Sequence, residues 1–233
     1  MCFSAGASFA VEGLLLPAGM YCLQSAIRKR PVYLPLALTP LAFGVQQICE
    51  GLVWLGLERS DEALVHTASL VYLQFALFFW PFWIPLSILV LQSKWKNRLI
   101  IGAISLLGLV GGLALALPLV MNPDLVETSI AAHSIQYEFA QSPALEWISW
   151  PIWQILYLAV VAVPILMADT KEVVVVGLVL ILLAGLSHLL NALACISVWC
   201  FFAAVLSAYL CYLFFRLAPA IPNAQMETLP KGA

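Results

Sequence analysis

The 233-residue sequence predicts an all-α polytopic membrane protein, a bundle of seven transmembrane helices with its N-terminus outside and its C-terminus cytoplasmic. Three observations predict this. Hydrophobic residues make up 64% of the chain against 9% charged, and the mean hydropathy is +1.02, far from the balance of a soluble domain. Stretches near 8–26, 33–57, 64–92, 99–121, 147–167, 173–193 and 196–216 reach the length of about 20 apolar residues that a spanning helix needs. With seven helices, Arg28, Lys29, Arg30, Lys94, Lys96, Arg98, Lys171, Arg216 and Lys231 fall on one side and only Arg59 on the other, which the positive-inside bias assigns to the cytoplasm.

Residues 1–217 read as one seven-helix transmembrane domain, and 218–233, with Pro219, Pro222 and Pro230, as a disordered cytoplasmic tail. No Lys or Arg precedes residue 28 and Glu12 adds an acid, a pattern unlike a cleavable signal peptide, so the first helix is expected to be retained. The third stretch contains FFWPFWIP, where Pro81 and Pro85 remove backbone donors and should kink its inner half. In the fourth, Gly108-x-x-x-Gly112 would let a neighbouring backbone approach closely, a weak signal that does not argue for a dimer. Pro123 and Pro143 bracket the longest loop, read as a short surface helix. The six cysteines form no CxxC and mostly suit helix packing.

The chemistry concentrates in FGVQQICEGLVW, residues 43–54. Gln47, Glu50 and Trp54 recur at steps of three and four and share one helix face, with Gln46 beside them. An ionisable group near the bilayer centre costs roughly 2.5 kcal/mol or more, so Glu50 needs a partner or a cavity. By helical rise Glu50 lies about 25 Å, and His188 about 23 Å, from the inner ends of their helices, in the outer third. Asn191 shares the face of His188, Gln154 and Glu12 lie about 6 to 10 Å below the outer surface, and Gln74 about 15 Å. Glu12 also lies one turn past Ser8, where it would complement the positive end of the first helix.

Each residue has a plainer role. Buried amides commonly fasten helices, and a single intramembrane histidine is more often a packing residue than a ligand. Convergence at one depth raises the functional reading, in which Glu50 and His188 are catalytic and Gln46, Gln47, Gln74, Gln154, Asn191 and Trp54 bind a ligand. Removal of Met1 would expose Cys2 near the same pocket, and Cys2, Glu50 and His188 could then hold a divalent metal such as zinc. Trp147, Trp150, Trp153 and Trp199 form either an aromatic belt or a wall for an apolar ligand.

The segments MCFSAGASFAVEGLLLPAGMYCL and LPLALTPLAFGVQQICEGLVWLGL resemble those of an uncharacterised family of bacterial seven-helix integral membrane proteins that open with Met-Cys-Phe-Ser-Ala. That resemblance implies a single seven-helix unit in a bacterial inner membrane and brings no catalytic residue with it. The architecture also distantly resembles seven-helix zinc hydrolases related to alkaline ceramidases and adiponectin receptors. Those use three histidines, two in an H-x-x-x-H pair, whereas this chain has His188-x-x-Asn191, so their metal site does not carry over.

Two functions compete. One is a metal-dependent membrane enzyme acting on a lipid or amphiphile in an outward-facing polar pocket, and the other is a sensor or binding protein for a small apolar or amphiphilic molecule. A transporter ranks lower, because polar groups do not extend along the inner half. No lysine lies deep in the seventh helix, which excludes a retinal Schiff base, and nothing suggests a nucleic-acid partner.

Overall fold

The computed structural model describes residues 4–131, 133–139, 149–190 and 195–216. Cys2, Asn191, Trp147 and the tail at 218–233 lie outside the described residues. Helix α1 (Ala5–Lys29) starts where the Ser4 hydroxyl accepts the amide of Ala7 at 3.3 Å. Its start at Ala5 puts Glu12 two turns in, beyond the first turn in which the helix dipole acts, which corrects the capping role expected of that acid.

A 3-10 turn at Pro31–Tyr33 and the short α2 (Leu34–Ala37) lead into α3 (Thr39–Arg59), where prolines occupy first-turn positions whose amides need no helical partner. Ser60, left-handed at φ 54°, ends α3, and Asp61 caps α4 (Glu62–Leu73) through the amide of Leu64 at 3.0 Å. Close approach of α1 to α3 depends on Gly19, where a Cβ would lie 2.6 Å from the backbone nitrogen of Leu41.

The helix beginning with α4 continues through a π-helical stretch, Gln74–Phe79, into α5 (Trp80–Leu91). Its cause is local. Pro81 has no amide and its ring crowds the carbonyl four residues back, so the turn before it widens. The Trp80 amide bonds to the Phe75 carbonyl, leaving the Ala76 carbonyl to accept the Tyr157 hydroxyl at 2.6 Å. The kink expected from Pro81 is thus a widened turn on its N-terminal side, with a side chain of another helix attached.

Helix α6 (Trp95–Met121) lies on that irregular stretch. A Cβ at Gly108 would meet the Pro81 carbonyl oxygen at 2.0 Å, and one at Gly112 would meet the Phe78 Cα at 2.9 Å. The Gly-x-x-x-Gly pair is therefore an intramolecular seam. Beyond it the chain forms an antiparallel hairpin, β1 (Val126–Ala131) and β2 (Ser134–Phe139), with Thr128 opposite Tyr137 and His133 left-handed at φ 61°. This corrects the surface helix expected after Pro123, while the rest of the fold is helical as expected. Alternation of Val126, Thr128, Ile130 and of Ile135, Tyr137, Phe139 is a strand pattern, and Val126, Ile135 and Tyr137 are buried against the bundle. Tyr137 stacks on Tyr72 at 4.7 Å between ring centres.

Helices α7 (Trp150–Leu166), α8 (Lys171–Leu190), α9 (Cys195–Ser207) and α10 (Tyr209–Arg216) complete the described residues. Six helical segments among these residues are long and apolar enough to cross a bilayer, namely Ala5–Lys29, Pro31–Arg59, Glu62–Leu91, Trp95–Met121, Lys171–Leu189 and Cys195–Arg216. At 17 residues α7 is shorter, about 26 Å by helical rise. Large apolar side chains such as Leu106, Leu182 and Leu189 point outward, as suits helices solvated by lipid rather than water.

Two buried clusters make the core. One surrounds Tyr72, Leu119, Ile135 and Tyr137 beneath the hairpin, and the other surrounds Trp80, Ile84, Ile165 and Leu180 toward the opposite, basic end. The loops at that end are tied together, because Asp169 accepts from the amide of Ser93 at 3.0 Å and from its hydroxyl at 2.8 Å, while the Gln92 amide group donates to the Met167 carbonyl at 3.1 Å.

Candidate functional site

Gln46, Gln47 and Glu50 are completely buried on α3. Helical spacing brings Gln47 Nε2 to 3.2 Å from Glu50 Oε2, and the Ser197 hydroxyl of α9 donates to Oε1 at 2.5 Å. The carboxyl group thus joins α3 to α9. One step along, the Trp80 indole donates to Gln46 Oε1 at 2.7 Å and stacks on Phe43 at 3.8 Å between ring centres, joining α3 to α5. The Cys200 thiol lies by Tyr72 and Gln46. Around these groups the hairpin and α4 complete the enclosure.

The expected group is therefore partly assembled. Gln46, Gln47 and Glu50 are together, and Trp54 is buried on the same helix, its indole nitrogen without a hydrogen-bond partner among the described residues. Gln74 opens the π-helical stretch, and its Nε2 is buried without such a partner. Gln154 is half-buried on α7, and His188 is exposed near the end of α8. No group of three or more His, Cys, Asp or Glu suited to a metal ion occurs among the described residues, and Cys2 lies outside them.

Below this polar layer is a feature that residue spacing did not reveal. An apolar cavity of about 80 Å³ runs between Phe43, Trp80, Tyr157, Trp199, Val173 and Leu210. Cys200 lines it as well, and through Trp80, which is bonded to Gln46, the cavity adjoins the polar layer. Tyr157 also lines it, and its bond to the Ala76 carbonyl fixes that wall to the π-helical stretch. Two polar groups on the lining, Thr39 Oγ1 and Trp199 Nε1, are buried without hydrogen-bond partners among the described residues.

At the basic end a second pocket, about 370 Å³, is bordered by Arg30, Tyr33, Thr170, Glu172, Phe214 and Arg216. Leu36 and Val173 border both spaces, so the apolar cavity and the charged mouth adjoin. Ser197 and Ala203 escaped sequence reasoning because small residues are ordinary in apolar helices. Trp199 was visible as a wall for an apolar ligand, and its place on the cavity agrees with that alternative to a belt.

No curated protein and no solved structure matches this chain. Residues 1–225 match the family of unknown function DUF6629, and the chain belongs to that family.

Proposed function

We propose that this protein is an intramembrane binding protein for an apolar or amphiphilic small molecule, held in the cavity between α3, α5, α7, α8 and α9. The observation that carries the reading is the juxtaposition of an apolar space with a buried polar layer, where the Trp80 indole is bonded to Gln46 and the Ser197 hydroxyl to Glu50. A cavity lined by aliphatic and aromatic side chains stays dry and favours hydrocarbon, at roughly 0.8 kcal/mol per buried methylene. Sensing would follow if occupancy altered the widened turn of the third span, to which the cavity residue Tyr157 is attached. The bilayer is the second partner, with α7 as a seventh span and the basic end in the cytoplasm of a bacterial inner membrane, supported by the charge asymmetry.

The enzyme alternative places Glu50 and His188 as an acid/base pair, with Cys2 as a third ligand to a metal such as zinc. Burial of Glu50 supports it. Binding is preferred because Glu50 already serves two neighbouring side chains, while His188 faces outward on α8.

Saturable binding of radiolabelled hexadecanol, measured in neutral phosphatidylcholine nanodiscs, tests the proposal. One molecule per chain is expected, with loss in Ala203→Phe, which fills the cavity, and retention in Glu50→Gln. Equal binding by the parent and Ala203→Phe would contradict the cavity as the site. Stoichiometric zinc lost together with Glu50 would favour the enzyme.

A further inference from the structure

The charged mouth and the apolar cavity lie end to end, and together they select more than a hydrocarbon. Arg30 is half-buried, and its Nε is enclosed with no hydrogen-bond partner among the described residues. A buried guanidinium nitrogen left without an acceptor is costly, and its planar fork suits a carboxylate or phosphate better than a neutral group. Arg216 borders the same pocket, steadied by the Tyr212 hydroxyl at 2.8 Å and by its position over the Tyr212 ring. Glu172 is the acid on that lining and acts on the exposed Arg216, so the two guanidiniums leave one positive charge in excess. Lys29 is engaged elsewhere, donating to the Phe214 carbonyl at 2.9 Å and so completing the C-terminal end of α10.

The space behind the mouth fixes the remainder of the ligand. It passes Leu36 and Val173 and reaches Trp199, a distance of about 16 Å along the last span from the level of Leu210 by helical rise. Its small volume, about 80 Å³, argues for one chain rather than two. Thr39, one turn inside Leu36, offers an unpartnered hydroxyl near the junction. A ligand with its charge at Arg30 and Arg216 and one chain running toward Trp80 and Trp199 would fill both spaces.

We infer that the two adjoining pockets form one site for an anionic single-chain amphiphile, the head group at Arg30 and Arg216 and the chain in the cavity. This rests on the binding reading above and adds the charge and chain number of the ligand.

Binding of radiolabelled palmitate and hexadecanol to the full chain in phosphatidylcholine nanodiscs, with empty nanodiscs subtracted, tests it. Palmitate should bind about ten-fold tighter than hexadecanol in the parent, and Arg30→Gln should remove that preference while leaving hexadecanol binding in place, which also reports an intact fold. Arg30→Lys should retain part of the preference. Hexadecyl phosphate should follow palmitate, since the shared feature is the anion. Equal binding of palmitate and hexadecanol in the parent would overturn the head-group assignment and leave the cavity reading standing, whereas saturable binding of neither would overturn the cavity reading itself.

Discussion

The indole N–H of Trp80 donates to Oε1 of Gln46 at 2.7 Å, and both side chains are buried. This bond crosses from α3 to the residue immediately after the widened turn, so one interaction holds the cavity wall and the irregular backbone in register. Trp80→Phe should cost about 1 kcal/mol, and the double variant with Gln46→Leu less than the sum of the single costs, because removing both partners leaves no orphaned group. Thermal unfolding in detergent measures the coupling. Strict additivity would show that the bond contributes nothing.

Gly108 and Gly111 separate packing from helix propensity. Gly108→Ala would force a methyl to 2.0 Å from the Pro81 carbonyl oxygen, whereas nothing lies within 4 Å of a Cβ at Gly111. The expected cost at Gly108 is about 1 to 3 kcal/mol or more, and Gly111→Ala should be neutral or stabilising by up to about 1 kcal/mol. A Gly108 variant as stable as the parent would contradict the backbone seam.

The sequence exposed the polar layer but not its partners. Spacing alone placed Gln47, Glu50 and Trp54 on one face, and burial agrees, since a shared helical face follows from 3.6-residue periodicity. Ser197 was invisible because its role depends on which helix stands opposite Glu50, a tertiary fact. The hairpin is legible in the strand pattern of its residues. Its period-two, β-branched run lies at Val126–Ile130, between prolines that also fit the ends of a short helix. The cavity had no counterpart in the sequence, because an empty space is defined by side chains from five helices failing to meet.

Acid should loosen the basic end. The Ser93 amide, then its hydroxyl, holds the Asp169 carboxyl below its ordinary value of 3.8, with Lys94 adding a smaller effect. The pKa is depressed in the folded state, so this contribution is fully present above about pH 3.8 and disappears as pH falls through the lower folded-state value. Asp169→Asn should flatten that part of the stability profile below pH 4. Amide hydrogen exchange at Ser93 across the acid range is the direct readout, and identical profiles for parent and variant would contradict the coupling.

Orientation can be checked separately from binding. A reporter active only in the cytoplasm should work when fused after Arg216 and fail when inserted near Asp61. The reverse pattern would put the charged mouth on the outer leaflet.

Quenching of tryptophan fluorescence by a brominated C16 chain tests the central claim most directly, since Trp80 and Trp199 line the cavity and the bromine must come close to an indole to act. A saturable loss of emission is predicted in neutral nanodiscs at about one chain per protein, greatest for a bromine near the distal end and abolished by Ala203→Phe. Quenching that rises linearly with the bromine content of the membrane, identical in the parent and Ala203→Phe, would mean that hydrocarbon touches these helices only from the surrounding bilayer.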